Sequence, residues 1–255
     1  MINLIGSEWI KLRTLRLNWV LPLIGLVFVI VITGLVGIFG EINSFTTITS
    51  GEIAEIVGFS AILPGLLVSV IGVLAISSEF GFGTIRPTLV ATPSRPKVFA
   101  AKALLLAVVG LVFGLITGLI GYVVGFALLS ARGAEGLSFF DDDGTIGVLF
   151  VGLPLLFMLL VLFGYGVGLL VRISAAAVSI AILWPILIET IIAFALAIAG
   201  IEDPQKFLPY QSALALVSTD SNDFVNGKVG GAVFFALVVA GIIAIATAIN
   251  TRRDV

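Results

Sequence analysis

Glu189 and the run Asp141, Asp142 and Asp143 are the residues of this sequence best placed to do chemistry. Glu189 stands in "LWPILIE" and is the only charge in an apolar stretch from Ile173 to Ile201. An ionisable group at that depth costs about 2.5–3.5 kcal/mol on insertion scales unless it is paired or watered. It therefore marks either a functional site or a hydrogen bond that pins neighbouring helices. Pro185, four residues earlier, removes a backbone donor and is a source of a bend at the same place. The three aspartates in "SFFDDDG" invite calcium, but an EF-hand loop alternates its oxygen ligands and ends on a glutamate at the twelfth position. Nothing here supplies that frame, and the segment reads as a solvated loop with Asp143 capping the next helix. Cysteine and histidine are both absent, which removes disulfides, the usual zinc and copper ligands and histidine-based catalysis.

The elements that carry these residues follow from hydropathy. The 255 residues are 60% hydrophobic and 11% charged, against about 25% charged for a soluble domain. Six apolar runs are each longer than the roughly 18 residues that mark a spanning helix. Backbone polar groups cannot stay unpaired in hydrocarbon, and a barrel would show segments of about ten residues with alternating polarity. The chain thus reads as an all-α membrane protein, one transmembrane domain over 1–255, with spans near 20–40, 57–77, 100–130, 146–171, 174–200 and 229–250.

Ten lysines and arginines with three acids fall on one side of these spans, and three with eleven acids on the other. The positive-inside rule then puts both termini and the segment Ser78 to Lys102 in the cytoplasm of a multi-pass protein of the inner membrane. Nucleic-acid binding has no support beyond these juxtamembrane bases. Ile5, Trp9, Leu12, Leu15 and Trp19 recur at helical spacing ahead of the first span, which indicates an N-terminal amphipathic helix in the interface. Glycines 110, 114, 118, 121 and 125 allow close helix approach within the chain or between copies. On the external side, "KFLPYQSALALV" is apolar but too short to span, so it predicts a re-entrant or surface helix before the last span.

The segment "SEFGFGTIRPTLVATPSRPKVFAAK", Ser78 to Lys102, places five charges among glycines and prolines. Gly83 or Thr84 is able to start a helix and Pro93 stops it, which gives a cytoplasmic helix of about two turns near 83–92. Its apolar anchors and charged rim suit docking to another protein or lying flat on the membrane.

In order along the chain, "SEWIKLRTLR", that segment, "RISAAAVSIAILWPILIE", "LPYQSAL" and the terminal "TRRDV" resemble the permease subunits of type-2 ABC exporters, particularly small actinobacterial-type members. The resemblance implies that the helix near 83–92 is a coupling helix seated on a separate ABC ATPase. Glu79, Gly83, Thr84, Ile85, Arg86, Leu89 and Thr92 would form the docking and coupling surface. It also implies two permease domains, as a homodimer or a heterodimer with a related permease, above two ATPase copies that hold ATP and magnesium. The substrate path would run between the paired domains, with Phe59, Leu63 and Phe194 as apolar contacts and Glu189 on or beside it. Gly81 and Phe82 stand where many relatives carry a polar or basic pair. The chain has no G-x-x-x-x-G-K-[ST] loop and holds no cofactor of its own, so it is expected to be a non-enzymatic subunit exporting a hydrophobic or amphipathic drug, antibiotic, lipid or peptide. The alternatives are a carrier or channel driven by an ion gradient at Glu189, and a non-transporting immunity or sensor subunit.

Overall fold

Every apolar run forms a helix, and no strand occurs among the described residues. The computed structural model describes residues 2–39, 49–85, 87, 94–133, 143–218 and 227–252. Helix α1 (Ile2–Thr14) is the amphipathic segment and α2 (Leu17–Phe39) the first span. The elbow between them is closed by side chains, because the last carbonyls of a helix have no intrahelical donor. Asn18 Nδ2 donates to the Leu12 carbonyl at 2.9 Å, and Trp19 Nε1 to that of Arg13 at 3.0 Å.

The second span is longer than its apolar core. Helix α3 (Ser50–Ser60) starts with a capping box between Thr49 and Glu52. After a one-residue break at Ala61, α4 (Ile62–Gly81) continues. Pro64 has no N–H to donate to the Ser60 carbonyl, which accounts for the interruption. Helix α5 (Arg95–Ala131) is the third span, and its 37 residues reach about 55 Å, beyond the hydrocarbon thickness of about 30 Å. Helices α6 (Gly144–Val171) and α7 (Ser174–Ile198) are the fourth and fifth spans. Each contains a widened π turn, at Gly147–Gly152 and at Trp184–Ile188, beside Pro154 and over Pro185. After a 3₁₀ turn at Pro204–Phe207, helix α8 (Pro209–Ala213) and another 3₁₀ turn at Leu214–Val217 fold back between the spans. Helix α9 (Gly227–Arg252) is the sixth span.

Helix α6 is central, packed on α4, α5, α7 and α9. Of the span residues, 72% are buried in α4 but only 17% in α7 and α9, so the inner and outer helices are distinct. The glycine rows serve packing within the chain. A Cβ at Gly72 of α4 would overlap the Val161 carbonyl, and one at Gly164 of α6 the Ser69 carbonyl, so the two helices touch backbone to backbone. Gly110 and Gly114 of α5 bring it equally close to the backbone of Met158, Leu153 and Pro154.

The re-entrant segment is held in the same way from three sides. The Ser212, Leu216 and Val217 carbonyls lie where Gly231 of α9, Gly152 of α6 and Gly58 of α3 leave no side chain. Its Leu208, Tyr210, Ala213, Ala215 and Leu216 are buried, so the apolar stretch is an inward dip. At the other end of the bundle lie α1, the end of α4, the start of α5, the α6–α7 junction and the end of α9. Ser77 Oγ there donates to Ser174 Oγ at 3.0 Å, Asn250 Nδ2 to the Leu169 carbonyl at 3.0 Å, and Arg95 Nη1 to the Asn250 carbonyl at 3.3 Å.

Gly231→Ala is expected to destabilise the chain by about 1–3 kcal/mol, because the new methyl meets a backbone oxygen rather than a flexible side chain. Thermal unfolding in detergent checks it against Gly241→Ala, which faces open space on the same helix and is expected to be neutral.

Candidate functional site

At the α1 end of the bundle, four charges from three helices form a closed, electrically neutral cluster: Glu8 and Lys11 of α1, Glu79 of α4 and Lys102 of α5. The Glu8 to Lys11 spacing puts both on one face of α1, turned away from the exposed Trp9 and Ile10. The long α5 begins seven residues before Lys102, so the ammonium sits inside the packed base of the span.

Each of the three N–H bonds of Lys102 has an acceptor, in the Glu8 carboxylate, in Glu79 Oε1 at 3.1 Å and in the Ala75 carbonyl at 3.0 Å. Lys11 Nζ bridges the same two acids at 2.7 Å to Glu8 and 2.9 Å to Glu79. Glu8, Glu79 and Lys102 are 1%, 7% and 3% exposed, so this is an interior network. Glu79 Oε2 is also buried, and no donor among the described residues reaches it. Burial pushes the Glu8 carboxyl up, but the Lys102 ammonium and then Lys11 outweigh that and hold it below its ordinary value. Burial pushes Lys11 down, and its hydrogen bonds to Glu79 and Glu8 outweigh that and raise it.

This arrangement revises the place of Glu79. It does not stand on an exposed docking rim but faces inward, two residues before α4 ends. Gly83 is likewise the end of one helix rather than the start of the next. It follows the α4 cap Phe82 with φ of +70°, the left-handed conformation that closes helices and favours glycine. Phe82 is 84% exposed at the tip, Thr84 is exposed, and Ile85 turns inward at 2%. Ile85 and Pro87 are helical. Arg86, Leu89 and Thr92 lie outside the described side chains, as does the aspartate run at 141–143. Beside the cluster, the Arg172 guanidinium lies 5.1 Å above the Phe80 ring, tying the α6–α7 junction to the last turn of α4.

Glu189 belongs to the opposite half. It is 1% exposed, and its carboxylate receives Trp184 Nε1 at 3.1 Å, the Tyr210 N–H at 3.1 Å and the Gln211 N–H at 3.0 Å. The two backbone donors are orphan N–H groups of the first turn of α8, which Leu208 at the cap position has no side-chain oxygen to satisfy. The π turn directly before Glu189 adds a residue to the helical turn and shifts the register of the side chains beyond it. Thus Glu189 caps the re-entrant helix from across the bundle, and nine residues of helix, about 14 Å, separate it from the end of α7.

Phe59, Leu63 and Phe194 are 76%, 41% and 68% exposed on the outer surface of α3, α4 and α7. Among the described residues, they line neither the apolar cavity behind α1 and α2 nor the one beside Glu189. No group of three or more possible metal ligands occurs among the described residues. The network of Glu8, Lys11 and Lys102 was invisible as a site in the sequence, where these residues count only as flanking charges. Its one local signal is the Glu8 to Lys11 spacing on the polar face of an amphipathic helix. Neither models of known protein families nor curated proteins match the chain.

Lys102→Met is expected to cost about 3–5 kcal/mol, because Glu8 and Glu79 then share the single ammonium of Lys11. Adding Glu8→Gln is expected to recover much of the loss, and a double-mutant cycle in thermal unfolding reads the coupling. Since the Glu8 value is lowered, its stabilisation is complete above roughly pH 4.3 and drains as the pH falls through the folded value. Lys11, raised, contributes below roughly pH 10.4 and loses its contribution as the pH rises through the folded value. The contribution of these two groups to stability is accordingly expected to be flat between these limits.

Glu189→Gln removes one acceptor oxygen and turns an amide N–H₂ toward backbone donors. The expected loss is about 1–3 kcal/mol, with faster tryptic cleavage after Lys206 as the re-entrant segment loosens. An unchanged cleavage rate and unfolding temperature would remove the capping role.

Proposed function

We propose that the chain is the membrane-spanning permease subunit of an ATP-binding cassette exporter, paired with a second permease domain and powered by two copies of a separate ATPase. The observation that carries this reading is the Glu8, Lys11, Glu79 and Lys102 cluster. It locks the amphipathic helix, the end of α4 and the base of α5 into one piece, directly behind the exposed tip at Phe82. A membrane domain driven from outside needs such a piece, because a push on a loose loop would be absorbed by the loop. Both termini and this end of the bundle are taken as cytoplasmic, in the inner membrane, on the distribution of lysine and arginine.

In this mechanism the ATPases bind nucleotide and close, and the movement enters at Phe82, Ile85 and the residues after them. ATP shifts the inward-open and outward-open states by its differential affinity for them, and the two coupling segments carry that difference into the membrane. ATP and magnesium stay on the ATPases, since the chain has no phosphate-binding loop. The substrate class, a hydrophobic or amphipathic drug, antibiotic, lipid or peptide, follows from the family resemblance. The outward exposure of Phe59, Leu63 and Phe194 supports a path between paired domains rather than through one chain. The three hydrogen bonds to Glu189 weigh against the gradient-driven alternative, because a shuttling proton would uncap α8 at each cycle.

Phe82→Asp is expected to lower permease-stimulated ATP hydrolysis at least about tenfold in proteoliposomes holding both subunits, and to weaken ATPase co-purification. The unfolding temperature should not change, since Phe82 is exposed. Undiminished stimulation in both Phe82→Asp and Arg86→Glu would overturn the assignment of this segment as the ATPase contact.

A further inference from the structure

Behind the elbow of α1 and α2 lies an apolar groove of about 250 Å³, closed on its inner side by Ile71 of α4 and by α5. Its walls are Trp9 and Leu12 of α1, Trp19 of α2, and the edge of α5 from Leu105 to Ile116. Arg13 stands at its mouth. We propose that this groove binds one anionic phospholipid from the leaflet next to α1, with an acyl chain along α5 and its phosphate on Arg13.

Three observations favour this occupant. The first is length: Leu105 to Ile116 covers about 16 Å of helix, half the hydrocarbon thickness of about 30 Å, so the groove is as deep as one leaflet. The second is the layering of its lining. Trp9 and Trp19, 43% and 51% exposed, sit at the level where indoles meet headgroups, and the α5 wall below is aliphatic and aromatic. The third is charge. Asn18 and Trp19 direct their N–H groups to the elbow carbonyls, and Lys11 is held by Glu8 and Glu79. The Arg13 guanidinium is paired with no carboxylate among the described residues. A cation at the rim of a leaflet-deep apolar slot matches a phosphate attached to an acyl chain, and a planar guanidinium grips phosphate through two parallel hydrogen bonds.

The groove continues from the charge cluster. Leu12 follows Lys11 on α1, and Leu105 lies one turn beyond Lys102 on α5, so a lipid in the slot would wedge α1 against α5. This inference needs neither an ATPase nor transport, and its test contains neither.

The chain has three tryptophans, two of which line the groove. In a Trp184→Phe background, fluorescence is read in bilayers where either dibromostearoyl phosphatidylglycerol or dibromostearoyl phosphatidylcholine is the minor, quenching lipid at equal mole fraction. The expected result is a preference for phosphatidylglycerol of about fivefold in relative association, the size that one basic residue confers at an anionic surface. It should fall to about one in Arg13→Gln, survive in Arg16→Gln, and be lost in Val112→Phe, which fills the slot. Equal quenching by the two lipids, or a preference untouched by Arg13→Gln and Val112→Phe, would overturn the site. If Trp184→Phe does not fold, the same preference is read as the difference between the native chain and Trp9→Phe/Trp19→Phe.

Discussion

Hydrocarbon offers no partner to a backbone N–H or C=O, and most of this chain is bound by that constraint. Regular helix satisfies it along the six spans without help from side chains. The informative places are those where the helix stops or is distorted at membrane depth, because each must bring in a donor or acceptor from elsewhere. At the α1–α2 elbow, Asn18 and Trp19 reach back to two carbonyls. At the start of α8, the carboxylate of Glu189 reaches across from another helix to two amides. Glycines serve the same constraint indirectly, since the carbonyls of the re-entrant segment lie against three helices that have no side chain at the contact.

The two ends of the bundle use buried charge for different purposes. Glu189 is a buried carboxyl whose partners are N–H dipoles, and it satisfies the first-turn amides of a helix that lacks a side-chain cap of its own. The Glu8, Lys11, Glu79 and Lys102 cluster is neutral in itself, and three of its four members are withdrawn from solvent. Such a network contributes little net stability compared with an apolar replacement, because desolvation offsets most of the attraction. What it does impose is geometry. Lys102 has its three donors committed to acceptors on α1 and α4, so a sliding of either helix along α5 breaks a charge-assisted bond.

Much of the architecture was legible because it rests on long-range composition. Six apolar runs gave six spans, and the short apolar stretch after Pro209 gave the inward dip. Pro185 pointed to a distorted turn, which is a π turn. Boundaries were less legible where a residue type serves two roles. Gly83 was compatible with opening a helix, yet its positive φ closes α4, and both uses draw on the same freedom from a side chain. Glu79 reads as surface charge in any local window. Its burial depends on Lys102, 23 residues later, and on Lys11, 68 residues earlier, and no periodicity relates residues so far apart. Glu189 was conspicuous from composition alone, whereas its donors are backbone amides, which a sequence does not distinguish from any others.

The position of the unsatisfied Glu79 oxygen bears on how such a cluster would behave under load. Glu79 Oε1 already accepts from both lysines, and Oε2 is enclosed without a donor among the described residues. A buried carboxylate oxygen left in this condition raises the energy of the arrangement that contains it. A turn of the Glu79 carboxylate that exchanges Oε2 for Oε1 at a lysine, or opens it to water, recovers part of that cost. The two cations remain anchored by Glu8, so the Glu79 carboxylate is able to turn without dispersing the charges. The cluster therefore holds α1, the base of α5 and the end of α4 together while the Glu79 carboxylate keeps one oxygen to exchange, directly behind the exposed tip at Phe82.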